Sequence, residues 1–171
     1  ADDLVALAKN SQKEPYRSAY YKQSEDLDMT GKSMNSIGGA NMTYGFAGTY
    51  DGNGKTISNL NVPYLFNAVT GEIRDLTLAE SCTFKNASVA RWLVGGKVIN
   101  CKNYGSILPT FNGTDWSNNA NAGGIVQIAE RGAEILGCKN YGKIEIQSDK
   151  TNFSRIGGIA ASISNVTIRN C

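Results

Sequence analysis

A ten-residue phrase written twice constrains this chain more than anything else in it. Val98-Ile-Asn-Cys-Lys-Asn-Tyr-Gly-Ser-Ile107 returns as Ile135-Leu-Gly-Cys-Lys-Asn-Tyr-Gly-Lys-Ile144, with Cys-Lys-Asn-Tyr-Gly identical in both. A third copy opens as Ile168-Arg-Asn-Cys171, so the three cysteines stand 37 and 33 residues apart. A period in the thirties marks a repeat architecture in which each unit stacks on the next. Helical repeats of that length need two amphipathic helices per unit, whereas these units hold β-branched residues and Gly/Asn turns. Stacked as parallel layers, each strand pairs with its equivalents above and below at ~4.8 Å, and equivalent side chains fall into ladders. The expected fold is all-β: a right-handed parallel β-helix, or β-solenoid, with a short N-terminal capping helix.

Under that geometry Val98, Ile135 and Ile168 form one inward apolar ladder, and Ile107 and Ile144 form another. Cys101, Cys138 and Cys171 form a third, as small core-filling hydrophobes. Ladder thiols point the same way rather than toward each other, which opposes disulfide geometry, so the cysteines are expected to be reduced. Cys82 falls outside the copies. Asn103 and Asn140 stand where the chain turns, and stacked amides there can bond each other and the turn backbone. Gly105 and Gly142 are expected to supply positive φ, with Tyr104 and Tyr141 stacked beside them. A glycine pair precedes each copy, at Gly95-Gly96, Gly123-Gly124 and Gly157-Gly158, followed by Ile in the last two, which therefore share a layout, and by Lys97 in the first, which leaves that layer irregular. Ser81–Trp92 is the segment this scheme accommodates least, and Trp92 reads as a packing residue there.

The 19 glycines and 18 asparagines against 3 prolines agree with a chain that turns often without being disordered. Ahead of the repeats, Leu4, Val5, Leu7 and Ala8 keep helical spacing, with Asp2 and Asp3 at the end where the helix dipole favours anions, and Pro15 breaks any continuation. We expect a single domain over 1–171, with about 1–19 as the N-terminal cap and 20–171 as the coils. The third copy stops in mid-repeat, and an uncovered last coil would expose core and unpaired backbone. The expectation is therefore continuation in a longer chain, or two copies covering each other's open ends as an end-to-end homodimer. No stretch approaches eighteen apolar residues, so no membrane insertion is expected, and an exported chain of this kind is expected to begin after its cleavage point. The 17 basic and 15 acidic residues are interspersed and leave a charge of +2, which gives no nucleic-acid footprint.

Phe46-Ala-Gly-Thr-Tyr-Asp-Gly-Asn-Gly-Lys-Thr-Ile-Ser-Asn-Leu60 closely resembles the Phe-x-Gly-Thr-Phe-Asp-Gly-Asn-Gly-x-x-Ile-x-x-Leu signature of the bacterial GLUG-motif proteins. The Gly-Gly-Ile and Asn-Cys-x-Asn-x-Gly-x-Ile phrases are similar to the GLUG repeats themselves. Leu4 to Ala8, Asp26-Leu-Asp-Met29 and Ser36-Ile-Gly38 follow that family's order of helix, strand and Pro-Ile-Gly segment. The resemblance implies a right-handed β-helix on a secreted or cell-surface bacterial protein, generally adhesin-like, with some members joined to peptidase domains. It carries over no catalytic residue.

Gly48-Thr-Tyr-Asp-Gly-Asn-Gly-Lys-Thr56 has the look of a phosphate loop, but position 49 is Thr where that loop needs Gly, and no strand-then-helix context surrounds it. It reads as a tight turn in which Asp51 and Asn53 bond the backbone and Gly52 and Gly54 supply φ. A calcium loop fails too, with Thr56 at the sixth place and Val62 at the twelfth, which leaves only an unpatterned site using Asp26, Asp28 or Asp51. Without histidine or a Cys-x-x-Cys pair, the usual triads and zinc sites are excluded, and no metal or cofactor is expected. Paired acids could support a polysaccharide lyase or glycoside hydrolase, but Asp75, Glu80, Asp115, Glu130, Glu134, Glu145 and Asp149 fall in different phases, with no acid repeated at one position. The polar stretch 109–122 departs furthest from regular strand. Phe111, Asp115, Trp116 and Asn118 within it are the candidate ligand contacts, aromatic faces among amides on a rigid scaffold. The expected function is a secreted or cell-surface, non-catalytic adhesion or ligand-binding module whose partner is a glycan or protein of a host or environmental surface. The alternatives are the carbohydrate-active enzyme and a purely structural stalk.

Overall fold

The computed structural model describes residues 1–109, 121–146 and 155–171. Strand makes up 43% of the described residues and helix 6%, so the class is β, and the parallel sheets curl into a half-barrel. Every strand pairing among the described residues is parallel.

The Val98–Ile135–Ile168 register extends well before the repeated phrase. Tyr21, Tyr50, Ile73, Val98, Ile135 and Ile168 pair one after the next. Short strands such as Glu72–Arg74 and Lys97–Ile99 each bury only their middle residue, the period-two pattern of a sheet with one face on a core. Phe66, Ala90, Val126 and Ala160 line a second column, and Phe84, Ile107 and Ile144 a third. Leu27, Ile57, Leu78, Asn103 and Asn140 make a fourth, apolar until the asparagines take it over.

Two assignments made from the sequence change here. Gly123 pairs with Gly157, but its partner on the other side is Ala87, so Gly95-Gly96 is not a third equivalent pair. Val89 stands where Ile125 and Ile159 stand, its amide donating to the Ile125 carbonyl as the Ile125 amide donates to that of Ile159. Ala87-Ser88-Val89 thus replaces Gly-Gly-Ile, and Ser81–Trp92 belongs to the regular pattern, with Trp92 paired to Ala68 and Ile128. Gly95 is a corner at φ +64.

Gly105 and Gly142 do not supply positive φ either. That conformation falls one residue before each of the three ladder cysteines, at Asn100 (φ 52), Gly137 (φ 63) and Asn170 (φ 56), and at Asp75 (φ 52) in the preceding layer. Asn, Asp and Gly are the residues that adopt the left-handed region most readily. Asn100 Nδ2 also donates to Asp75 Oδ1 at 3.2 Å, tying one corner to the next.

The helix α1 spans Asp2–Asn10 and buries Leu4, Leu7 and Ala8. Ser11 ends it by donating to the Ala8 carbonyl (3.1 Å) and accepting from the Gly38 amide (2.8 Å), which fastens the helix to the sheet layers. No helix among the described residues is long and apolar enough to cross a membrane.

All four cysteines are free. Cys101, Cys138 and Cys171 occupy one place in successive layers, each thiol donating to the carbonyl two residues back, at 3.4, 3.5 and 3.3 Å. Leu76 holds that place one layer earlier, its carbonyl accepting from the Lys102 amide as Cys101's accepts from Lys139. Cys82 is buried elsewhere, its Sγ 3.3 Å from the Ile57 carbonyl. Cys171 is exposed rather than core filler. Contact with Cys138 and burial push the Cys101 thiol well up, and burial pushes up that of Cys82. Because Cys82, Cys101 and Cys138 are buried and Cys171 is exposed, a thiol reagent in native buffer should label Cys171 first and reach the remaining three only on unfolding. Rapid labelling of two or more would contradict the burial of the inner thiols.

Candidate functional site

The ligand contacts expected at Phe111, Asp115, Trp116 and Asn118 lie outside the described residues. The Asn121 carbonyl accepts from Asn86 Nδ2 (3.1 Å) and Gln127 Nε2 (3.0 Å), and its side chain accepts from the Arg155 amide (2.9 Å).

The turn at Asp51–Gly54 is built by side-chain bonds. Asp51 accepts from the Asn53 amide (2.8 Å), the Tyr20 hydroxyl (2.8 Å) and Arg74 (2.9 Å). Burial raises its pKa, but these donors outweigh burial and leave it below the usual carboxylate range. Asn53 (φ 52) and Gly54 (φ 69) take the left-handed conformation. Gly52 does not; a Cβ there would lie 2.6 Å from the Asp75 carbonyl oxygen, so glycine is required by close approach. The other calcium candidates also have protein donors. Asp26 accepts from the Thr56 amide (2.8 Å), and Asp28 accepts from Asn59 and Thr30, which bring its pKa to about 2. Among the described residues no group of three His, Cys, Asp or Glu side chains gathers as a metal would need.

Among the described residues, the acids weighed for catalysis do not converge. Glu134 pairs with Lys97 (3.0 Å), Glu130 with Arg131 (3.4 Å) and Glu145 with Lys143 (2.8 Å), while Asp75 accepts from Asn100. Asp115 and Asp149 lie outside the described residues. One correction concerns their phase: Glu72 and Glu134 do share a column, separated by Lys97. The intervening cation makes that column an alternating ion ladder instead of an acid pair, with Glu72 also 3.5 Å from Arg74.

The repeated phrase builds an outward face whose residues stand in register. Lys102 pairs with Lys139 and Asn103 with Asn140. The Asn103 side chain donates to Asn140 Oδ1 (2.8 Å) and to the Gly105 carbonyl (2.9 Å), and accepts from the Gly105 amide (3.1 Å). Asn140 repeats the bond to the Gly142 carbonyl at 3.1 Å. These amides fix the turns from inside, and alternation along the strand turns Lys102 and Tyr104 outward on either side of Asn103. The Tyr104 and Tyr141 rings stack with centroids 4.8 Å apart at 14°, both exposed. No family model, curated protein or solved structure matches the chain.

A cleft of about 340 Å³ opens between α1 and the first layer, lined by Leu4, Leu7, Tyr21, Gln23 and Tyr50 among others. Tyr50 donates to Gln23 Oε1 (3.2 Å), and burial pushes its hydroxyl well above the ordinary range. The cleft lies where the helix rests on the sheets, and two carboxylates, Asp3 and Glu25, are among its lining residues. Sequence reasoning identified the Asn, Tyr and Cys ladders of the repeated face but passed over its lysines, whose signal was the identity of Lys102 and Lys139 within the repeat.

Proposed function

We propose that the chain is a right-handed parallel β-helix of the GLUG-motif kind, serving as a non-catalytic adhesion or ligand-binding module on a secreted or cell-surface bacterial protein. The β-helix reading is supported by the unbroken succession of parallel registers from Tyr21 to Ile168, together with the motif resemblance at Phe46–Leu60. One observation carries the functional reading: the outward Lys and Tyr side chains repeat in register on the outer surface, whereas the described carboxylates weighed for catalysis do not converge. An ordered, rigid, solvent-facing array suits recognition, and dispersed acids suit no glycosidic chemistry.

The test is a glycan and matrix-protein binding array with the intact protein, run beside a turnover screen on the same glycans. Binding without release of reducing ends or unsaturated products is the expected result. Turnover of any arrayed polysaccharide would establish the enzyme reading in its place, and the absence of any ligand would favour a stalk.

A further inference from the structure

Of the five residues shared by the two copies of Cys-Lys-Asn-Tyr-Gly, packing accounts for three. The cysteines fill the core, the asparagines hold the turns, and the glycines let the layers close, since a Cβ on Gly142 would lie 1.9 Å from the Gly105 carbonyl oxygen. The lysine has no such explanation, and the ring stacking of the tyrosines leaves their hydroxyls unaccounted for. Both pairs face solvent, and Lys102 is held directly opposite Lys139.

Like charges directly opposite each other across a strand pair are destabilising. Three lysines are neutralised, Lys32 by Asp2, Lys97 by Glu134 and Lys143 by Glu145; several others stand without an ion pair among the described residues, and what sets Lys102 and Lys139 apart is that they face each other in register. Among the described residues Lys102 and Lys139 have no such partner, and the Tyr104 and Tyr141 hydroxyls have no hydrogen-bond partner. The four head groups thus form a face that offers donors, two ammonium groups and two phenols, in rows one strand spacing apart. Its complement is a linear polymer that brings an acidic group to each rung. With only two lysines here and a chain charge of +2, the face is too sparsely charged to favour the dense phosphates of a nucleic acid.

We propose that the Lys102, Tyr104, Lys139 and Tyr141 face binds an acidic polysaccharide, carboxylated or sulfated, through ammonium and phenol contacts along the ladder. The inference rests on the reading of the chain as a binding module and names the class of its ligand. Salt-sensitive attraction comes from the lysines and direction from the fixed phenols.

Isothermal titration of the intact protein with polygalacturonate, dextran sulfate, neutral dextran and duplex DNA tests the assignment. Saturable binding to at least one acidic polysaccharide is expected, weakening as salt rises, with none to dextran. The Lys102→Gln/Lys139→Gln variant should bind about tenfold more weakly while keeping its melting temperature, since a repulsion has been removed. Tyr104→Phe/Tyr141→Phe keeps the stacked rings and should also lose affinity, about threefold or more. Lys9→Gln/Lys13→Gln, which removes the same charge from the N-terminal region, should bind as the parent does. An equal loss in that control would overturn the site, because net charge alone would then explain binding. Tighter binding to DNA would overturn the ligand class. If neither acidic polysaccharide binds but the array returns a different ligand, this inference fails and the binding-module reading stands; an array with no ligand removes both.

Discussion

Substituting Gly71 by alanine should destabilise the protein by about 3 kcal/mol or more, at the upper end of what overpacking costs, read as a fall in the midpoint of urea unfolding. Gly48, Gly71 and Gly96 occupy one place in successive layers, and the carbonyl of each accepts from the amide of the layer above: Gly48 from Glu72 (2.9 Å), Gly71 from Lys97 (2.9 Å) and Gly96 from Glu134 (3.0 Å). A Cβ on Gly71 would lie 2.0 Å from the Gly48 oxygen and 2.6 Å from the Ala47 carbonyl carbon. Both obstacles are backbone, and moving them breaks the ladder bonds that hold the sheet. The control is Gly54→Ala, where nothing lies within 4 Å of the new atom and only the positive φ of +69 opposes it. That change should cost about 1–2 kcal/mol, the left-handed penalty alone. Equal effects at the two sites would mean that conformation, not close approach, is what these glycines provide.

The two kinds of glycine explain part of what the sequence concealed. At Gly52, Gly105 and Gly142 the residue type was read as a demand for positive φ, but a ceiling of backbone excludes a side chain just as firmly; at Gly105 it is the Cys82 carbonyl oxygen, 2.7 Å away. The left-handed positions were legible one residue before each ladder cysteine, where Asn100, Gly137 and Asn170 alternate between the two residue types that suit them. The repeated phrase was readable because core filling, turn bonding and close approach coincide within five residues. Earlier layers meet the same demands with other residues. Leu76 fills the cysteine place and Leu78 the asparagine place, so only general apolar character survives there and no phrase recurs. Ala87-Ser88 in place of Gly-Gly hid the layer at Ser81–Trp92 for the same reason, while Gly95-Gly96 imitated a boundary where the chain only turns. In the outward face, Tyr104 and Tyr141 were marked as a stack, but Lys102 and Lys139 drew no notice because a surface lysine ordinarily needs no explanation. Their significance lies in mutual register, which a pairing scheme supplies and residue type alone does not.

Asn103→Ala should cost about 2–4 kcal/mol, because it leaves two buried backbone groups of one residue without partners at about 1–3 kcal/mol each. Asn103 is fully buried, and its side chain alone meets both the amide and the carbonyl of Gly105 before reaching Asn140. Asn140 makes the same bond to the Gly142 carbonyl but is only partly buried, so water can replace what Asn140→Ala removes, and about 1 kcal/mol is expected there. The double variant should cost less than the sum, since the Asn103–Asn140 bond at 2.8 Å is lost once and not twice. Leucine at position 103 is a sharper case. Leu78 already occupies the same column one layer earlier, so the core tolerates the side chain, yet the Gly105 groups stay unpaired. Asn103→Leu should therefore remain destabilising although it buries more apolar surface, which separates hydrogen bonding from packing as the reason for asparagine at this turn. The same turn sets Tyr104 between Asn103 and Gly105, so loosening it should also broaden the Tyr104–Tyr141 stack, observable as a loss of near-ultraviolet circular dichroism at temperatures where the fold persists. An Asn103→Leu protein as stable as the parent, with its tyrosine signal intact, would show that the amide ladder neither holds the turn nor presents the face.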